Sequence, residues 1–229
     1  MITTLFFDLD DTLLDFKGGE TIAIRQTLAQ AGIAPTDEMA ALYSAINQSQ
    51  WELLEEGKLT RDQVLLRRFD ILFARLGIQG DSGRTQQVYE HLLAQQHPFL
   101  PGALELLEAL YPKYPLYLVS NGTATVQDQR LLDSDLGRFF RRVFISERVG
   151  ADKPSKAFFD RCFAQISDFT PDQGLIIGDS LTSDMRGGNN AGLHTCWFNP
   201  KGKPRRSDIP VEFEIRALGE LLSLLEQLP

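Results

Sequence analysis

The sequence predicts an α/β fold: a parallel sheet flanked by helices, interrupted near its start by a helical insertion. Two observations carry the core. Short apolar runs of β type alternate with longer helical stretches over most of the 229 residues, the pattern of a parallel sheet covered by helices. Three of those runs also end abruptly in a polar group, Asp8, Ser120 and Asp179, as expected at the carboxyl edge of such a sheet, where ligands gather. A third observation marks the insertion. From about Glu20 to Gln96 apolar residues recur at helical spacing and no convincing strand appears.

The first strand is expected over residues 4–8. Residues 5–12 read Leu-Phe-Phe-Asp-Leu-Asp-Asp-Thr, so an apolar strand runs straight into acid. Asp8 and Asp10 would then project into the crevice at the strand end. Carboxylates this close repel each other unless something positive sits between them. A hard divalent cation such as Mg²⁺ supplies that relief, because it prefers carboxylate and carbonyl oxygens and keeps positions open for water and phosphate. One carboxylate could attack while the other moves a proton. Taken alone, Asp-x-Asp is equally an acidic turn after an edge strand.

In the insertion, helical faces are read from Ile22, Ala23, Gln26 and Ala29, from Leu42, Ala45, Ile46 and Ser49, and from Val64, Leu65, Arg68 and Leu72. Breaks fall at Gly32-Ile33-Ala34-Pro35, Glu56-Gly57-Lys58 and Gly77-Ile78-Gln79-Gly80. This spacing predicts about four helices, entering near Phe16 and leaving near Pro98. The expected organisation is a catalytic core of residues 1–16 and 97–229 with a helical cap of residues 17–96. Rooted just after the Asp8/Asp10 turn, the insertion would hang over the acidic crevice as a lid.

Beyond it, strands are expected over residues 116–120, 142–146, 174–178 and 194–198, with 211–215 as a short outer strand. Helices are expected over 103–111, 125–132, 156–165, 183–191 and 217–227. Gly178-Asp179-Ser180 follows the apolar run Leu175-Ile176-Ile177 in the same strand-then-acid arrangement as the N-terminus. Adjacent strand ends would bring Asp179 within reach of Asp8 and Asp10 and complete an oxygen-rich magnesium site. Asp184 reads as an outer supporting charge. Ser120-Asn121-Gly122 ends a strand and opens a helix, where a hydroxyl and free backbone N–H groups can hold phosphate oxygens. Lys153, which alone would read as a surface lysine, supplies a cation to the same phosphate.

Together these segments resemble the haloacid dehalogenase superfamily along the whole chain. Its four motifs stand here in order as Asp8-Leu9-Asp10-Asp11-Thr12, Val119-Ser120-Asn121, Lys153-Pro154 and Gly178-Asp179-Ser180-Leu181-Thr182-Ser183-Asp184. The resemblance implies a Rossmann-like core with a helical cap inserted after the first motif. It also implies Asp8 as nucleophile, Asp10 as general acid and base, Thr12 as support for the turn, and Ser120, Asn121 and Lys153 as phosphate holders. Magnesium would be bound by Asp8, the Asp10 backbone carbonyl and Asp179, with Asp184 in support.

In such a site Asp8 attacks phosphorus in line while Asp10 protonates the departing alkoxide. The resulting aspartyl-phosphate is hydrolysed by water that gives its proton to Asp10. Displacement of halide from carbon does not need an acid at Asp10, so a dehalogenase is disfavoured. Residues 146–154 (Ser-Glu-Arg-Val-Gly-Ala-Asp-Lys-Pro) and 187–200 (Gly-Gly-Asn-Asn-Ala-Gly-Leu-His-Thr-Cys-Trp-Phe-Asn-Pro) are similar to the YjjG-type pyrimidine 5′-nucleotidases, a branch close to the N-acylneuraminate-9-phosphatases. The expected activity is therefore hydrolysis of nucleoside 5′-monophosphates, pyrimidine ones such as UMP, dUMP and dTMP in particular. The alternatives are a sugar-phosphate or N-acylneuraminate-9-phosphate phosphatase, a phosphomutase and, from another class, a phospho-accepting receiver domain. Asp10 and the large insertion argue against the receiver. For base recognition the candidates are Phe16, Lys17, Asn47, Trp51 and Arg67 or Arg68, each of which could equally be packing or surface.

Composition agrees with a small-molecule enzyme. Hydrophobic residues make up 43% and charged ones 24%, an ordinary globular balance. The formal net charge of −8 would repel nucleic acid polymers and anionic membranes, so the expected partner is a small phosphate monoester. The one basic run, residues 201–206 (Lys-Gly-Lys-Pro-Arg-Arg), reads as a solvated loop. Cys162 and Cys196 have no CxxC spacing and are expected as reduced core residues. His91, His97 and His194 share no ligand spacing. With no targeting leader and no apolar run of membrane-spanning length, a cytoplasmic location is expected. No feature of the sequence indicates an oligomeric state.

Overall fold

A computed structural model describes residues 1–228. The chain divides into two compact units, one of Met1–Asp15 with the segment from Phe99 onward, the other Phe16–Pro98.

The first unit is built on six parallel strands: β1 (Thr4–Phe7), β2 (Leu116–Ser120), β3 (Arg142–Ile145), β4 (Gly174–Gly178), β5 (His194–Phe198) and β6 (Phe213–Ile215). Their order in the sheet is β3-β2-β1-β4-β5-β6. The chain runs outward from β1 through β2 to β3, then returns to lay β4 on the other side of β1. That reversal makes a topological switch point, with a crevice beyond the carboxyl ends of β1 and β4. Register brings Phe7 opposite Ile177, and the Asp8 N–H donates to the Ile177 carbonyl at 2.9 Å. Asp8 and Asp179 therefore leave neighbouring strand ends.

Both faces of the sheet are covered, which explains why its strands read as nearly continuous apolar runs. Side chains alternate between the faces. Leu5 and Phe7 on β1, with Leu175 and Ile177 on β4, pack with Leu106, Leu107 and Leu110 of one helix and Leu221 and Leu225 of another. Phe6, Ile176 and Trp197 face Phe158, Phe159 and Cys162 on the other side.

In the second unit, helices α1 (Phe16–Gln30), α2 (Asp37–Glu55), α3 (Arg61–Leu76) and α4 (Ser82–Ala94) follow one another. The starts of α2, α3 and α4 carry side-chain caps. Thr36 accepts from the Met39 N–H, Thr60 and Gln63 form a reciprocal capping box, and Asp81 accepts from the Arg84 N–H. Gly77 closes α3 in the left-handed region at φ 67°. The interior of this unit holds the aromatic trio Tyr43, Phe69 and Tyr89 with ring centroids 5.2 to 5.7 Å apart.

The remaining helices of the first unit are α5 (Ala103–Leu110), α6 (Ala124–Asp133), α7 (Ser146–Val149), α8 (Lys156–Phe163), α9 (Arg186–Ala191) and α10 (Glu220–Gln227). One difference from the sequence expectation is informative. The helix expected from 183 begins instead as a wide π-type turn, Leu181–Met185. Ser180 Oγ accepts from the Ser183 N–H, and the Ser180 carbonyl accepts from both the Asp184 and Met185 N–H groups. The wide turn rotates Asp184 inward, the kind of local device found at functional sites. The outer strand is also shorter than expected, Phe213–Ile215, and residue 146 begins α7 instead of ending β3.

Candidate active site

Asp8 leaves β1 almost buried. Its Oδ1 accepts from Lys153 Nζ at 2.8 Å, and its Oδ2 accepts from the Thr12 hydroxyl at 3.1 Å. Thr12 Oγ1 in turn accepts from the Asp179 N–H at 3.1 Å, so one fully buried hydroxyl ties the turn after β1 to the turn after β4. The turn reverses at Asp11, whose φ is 58°, a left-handed conformation that aspartate tolerates better than most residues.

Lys153 is 1% exposed. Its ammonium has three donors and three partners: Asp8 Oδ1, the Val119 carbonyl at 2.8 Å and Asp184 Oδ1 at 2.7 Å. Burial disfavours its charge, but the Asp184 and Asp8 carboxylates outweigh that and hold it above the usual lysine range. Burial pushes Asp8 up to about 7; Lys153 acts against that rise, while the charges of Asp184 and Asp10 add to it. Asp179 lies well above the usual carboxylate range, first because it is buried and then because Asp11, Asp8 and Asp184 repel its charge. Three clustered carboxylates with one lysine leave an excess of negative charge, a natural seat for a cation.

Asp8, Asp179 and Asp184 each bring a carboxylate oxygen within 4.8 Å of the others. Oxygens on opposite sides of Mg²⁺ lie about 4.2 Å apart at ligand distances near 2.1 Å, so the cluster has the dimensions and the donor chemistry for one hard cation. Asp184 already has both oxygens engaged, Oδ2 accepting from the Ser180 N–H at 3.1 Å. Asp8 is engaged at both oxygens as well, by Lys153 and Thr12, which leaves Asp179 as the freest donor of the three. Gly178 makes room for this arrangement, since a Cβ there would meet the Asp184 carboxyl at 2.3 Å.

Ser120, at the end of β2, is buried, and its Oγ accepts from the Gly122 N–H at 3.1 Å. The Asn121 side chain turns to Lys153, accepting from its backbone N–H at 2.8 Å and donating to its carbonyl at 2.9 Å. Its amide thus holds the lysine segment in place. The peptide after that lysine, Lys153–Pro154, is cis.

Asp10 has partners that sequence reasoning missed. Arg130 donates to its Oδ1 at 2.5 Å and Gln127 to its Oδ2 at 2.6 Å. The signal was available in α6, whose buried positions Ala124, Gln127 and Leu131 follow helical spacing and include a glutamine where an apolar residue would be ordinary.

Lys203 was also missed. Its Nζ lies 3.6 Å from Asp179 Oδ2, and the buried Asn199 side chain both donates to and accepts from its backbone. The basic run is therefore not wholly a solvated loop. Within the second unit, Asn47 and Arg68 are buried in a polar chain that runs from Glu20 through Asn47 and Arg68 to Gln86, with contacts of 2.6 to 2.8 Å. These bonds hold helices of that unit together, while Arg68 Nε is buried without a hydrogen-bond partner among the described residues. Arg67 donates to Gln50 at 3.3 Å, and Arg61 lies over the Trp51 ring.

A family model described as haloacid dehalogenase-like hydrolase matches residues 2–192. YfnB, a HAD-hydrolase of Bacillus subtilis (strain 168), is 43% identical over 222 residues, covering 97% of this chain and 94% of YfnB. Its magnesium-bound crystal structure in the orthorhombic form superposes with a TM-score of 0.94 over 98% of each chain. Pyrimidine 5′-nucleotidase PynA of Streptococcus pneumoniae (strain ATCC BAA-255 / R6) is 38% identical over 97% of this chain and 94% of PynA. Pyrimidine 5′-nucleotidase YjjG of Escherichia coli (strain K12) is 31% identical over 96% of each.

Proposed function

The chain belongs to the haloacid dehalogenase-like hydrolases, and from that premise we propose that it is a magnesium-dependent phosphomonoesterase hydrolysing pyrimidine nucleoside 5′-monophosphates through an aspartyl-phosphate. The observation that carries the chemistry is the ammonium of Lys153 held between Asp8 and Asp184 beside Asp179. It supports a reading in which Asp8 is the nucleophile, Lys153 the buried cation and the neighbouring carboxylates the metal donors. Support for the substrate class comes from the two relatives named pyrimidine 5′-nucleotidases.

In this reading an oxygen of Asp8 attacks phosphorus in line, and the bond from phosphorus to the nucleoside 5′-oxygen breaks. Asp10 gives its proton to that oxygen, which leaves as the neutral nucleoside hydroxyl. Ser120 Oγ and backbone N–H groups after β2 hold the phosphoryl oxygens as charge redistributes, and the Lys153 ammonium joins them by exchanging one of its three protein partners for a phosphoryl oxygen. Water then attacks the aspartyl-phosphate and gives a proton to Asp10, the bond from phosphorus to Asp8 breaks, and inorganic phosphate leaves. Thr12 keeps the turns after β1 and β4 in register throughout. Magnesium would be held by Asp8, the Asp10 backbone carbonyl and Asp179, with Asp184 in support. When bound, it offsets the clustered negative charge of carboxylates and phosphate.

The helices of residues 17–96 act in this proposal as the cap that selects the substrate. The enzyme acts on a free small molecule in the cytoplasm, in keeping with two buried, unpaired cysteines. No described helix is long and apolar enough to cross a membrane.

The test is a phosphate-release screen with magnesium across nucleoside monophosphates and sugar phosphates. Turnover of pyrimidine nucleotides ahead of the others supports the full reading. Preference for sugar phosphates would keep the mechanism and replace the substrate. Stable phosphorylation without turnover would favour a phospho-accepting receiver.

A further inference from the structure

We infer that Gln127 and Arg130, on α6, are positioning residues that hold the Asp10 carboxylate in register with the phosphate holder Ser120. The inference rests on the phosphomonoesterase reading and adds two residues to it. The two side chains stand at i and i+3, on one face of the helix, and each is 1% exposed. Gln127 Nε2 donates to Asp10 Oδ2 at 2.6 Å and to Ser120 Oγ at 2.9 Å. Arg130 Nη1 donates to Asp10 Oδ1 at 2.5 Å and to Gln127 Oε1 at 2.9 Å. Both oxygens of Asp10 are thereby held from a helix more than a hundred residues away in sequence.

The neighbourhood is built around this contact. A Cβ on Gly122 would lie 2.1 Å from Gln127 Nε2, so only glycine leaves the amide its path between Ser120 and Asp10. A guanidinium this deeply buried is costly unless it is paired, and Asp10 provides the ion pair. The Asp10 side chain is itself 26% exposed, so packing alone does not fix its rotamer. Without the clamp it would be free to swing towards water.

The geometry matters because one side chain touches both partners. An oxygen of the phosphoryl group on Ser120 lies at a set distance from the ester oxygen that leaves. Gln127 spans from Ser120 to Asp10, so it sets where the proton donor stands relative to that leaving oxygen. Misplacement of a reacting group by about 1 Å can cost roughly a hundredfold in rate. Alkoxides need that proton and p-nitrophenolate does not.

The test compares wild type with Gln127→Leu, Arg130→Met and Arg130→Lys, using UMP and p-nitrophenyl phosphate with magnesium, alongside thermal midpoints. Expected for Gln127→Leu and Arg130→Met is a fall in kcat on UMP about tenfold or more beyond the fall on the aryl ester. KM for UMP should change by about twofold or less. Arg130→Lys, which keeps a cationic donor, should recover part of kcat on UMP. If Arg130→Met does not fold, Gln127→Leu decides. Equal losses on the two substrates would assign the pair a merely structural role and overturn the inference. Unchanged kinetics in a folded Gln127→Leu would also overturn it. In both cases wild-type turnover leaves the phosphomonoesterase reading standing, whereas a wild-type protein inert towards every monoester overturns both.

Discussion

The Asn121 side chain grips the backbone of Lys153 at two points, accepting from its N–H at 2.8 Å and donating to its carbonyl at 2.9 Å. This pair joins the segment after β2 to the segment before α8, and it delivers the ammonium that meets Asp8 and Asp184. Asn121→Ala should therefore lower kcat/KM for phosphomonoesters while leaving the three carboxylates in place. Freeing two buried backbone groups should also cost about 1–3 kcal/mol of stability, read as a lower midpoint in urea. Asn121→Asp, which keeps the acceptor and loses the donor, should fall between. An alanine variant with unchanged kcat/KM would mean that Lys153 finds its place without this grip.

Asp8→Asn should keep the fold and lose the phosphoenzyme. The amide is nearly the shape of the carboxylate, so the Thr12 bond can persist, and Lys153 retains Asp184 and the Val119 carbonyl. Removing one negative charge from a repelling cluster offsets part of the lost ion pair. Rapid-quench trapping of phosphoprotein and steady-state phosphate release are the measurements. More than a trace of wild-type turnover would rule out Asp8 as the nucleophile.

Much of this site was legible locally. The change from apolar run to acid at Asp8 and Asp179 is visible in adjacent residues, because a buried parallel strand must be apolar and its carboxyl end need not be. Ser120 was legible for the same reason. What stayed hidden depends on contacts between distant segments. Gln127 left a local trace, a glutamine at the buried spacing of α6, but only the fold brings Asp10 against it and Arg130. Asp184 was placed on an ordinary helix, since nothing in the periodicity of residues 181–191 announces the wide turn that aims it at Lys153. Asn47 and Arg68 suggested ligand recognition by residue type alone. Their burial against Glu20 and Gln86 could be found only by assembling α1 to α4.

Magnesium should bind measurably at Asp179, and Trp197 offers an optical readout. Its indole N–H donates to the Asp179 carbonyl at 2.9 Å, so a cation drawing on that turn should perturb its emission. A ligand that binds only the folded state adds about 2.7 kcal/mol at a hundredfold excess over Kd, so the wild-type melting midpoint should rise with magnesium. Asp179→Asn should flatten both responses. Full activity in excess chelator after verified metal removal would sink the metal proposal.

Cys162 and Cys196 should resist thiol reagents in the native state. Both are free and buried, and burial pushes each thiol up to about 12. The reactive form is the thiolate, so a disulfide-exchange reagent at mildly alkaline pH should titrate neither cysteine until denaturant is added, and then both. The linkage has a definite sign. An unfolded thiol ionises at lower pH than a folded one, so these groups reduce stability as pH rises from the ordinary thiol value of 9.0 towards 12. Rapid native labelling of either residue would show that its surroundings open far more often than the packing implies.

The sharpest prediction concerns the substrate: pyrimidine nucleoside 5′-monophosphates over purine nucleotides and over sugar phosphates. In the proposed mechanism the core residues recognise a phosphoryl group, which all these compounds share, so they do not carry the distinction. It has to arise from groups that touch the rest of the substrate, a task the proposal gives to the four-helix unit. Among its candidates, Asn47 and Arg68 are engaged within the unit, while Trp51 is half-buried and Arg67 exposed. Specificity is a difference between transition-state free energies, so the measurement is kcat/KM for UMP, dUMP and dTMP against AMP, GMP, glucose 6-phosphate and N-acetylneuraminate 9-phosphate. A tenfold preference for the pyrimidines corresponds to about 1.4 kcal/mol, which a single well-placed contact can supply. Should a purine nucleotide or either sugar phosphate exceed all three pyrimidines by that margin, the nucleotidase assignment would fall while Asp8, Asp10 and Lys153 kept their roles.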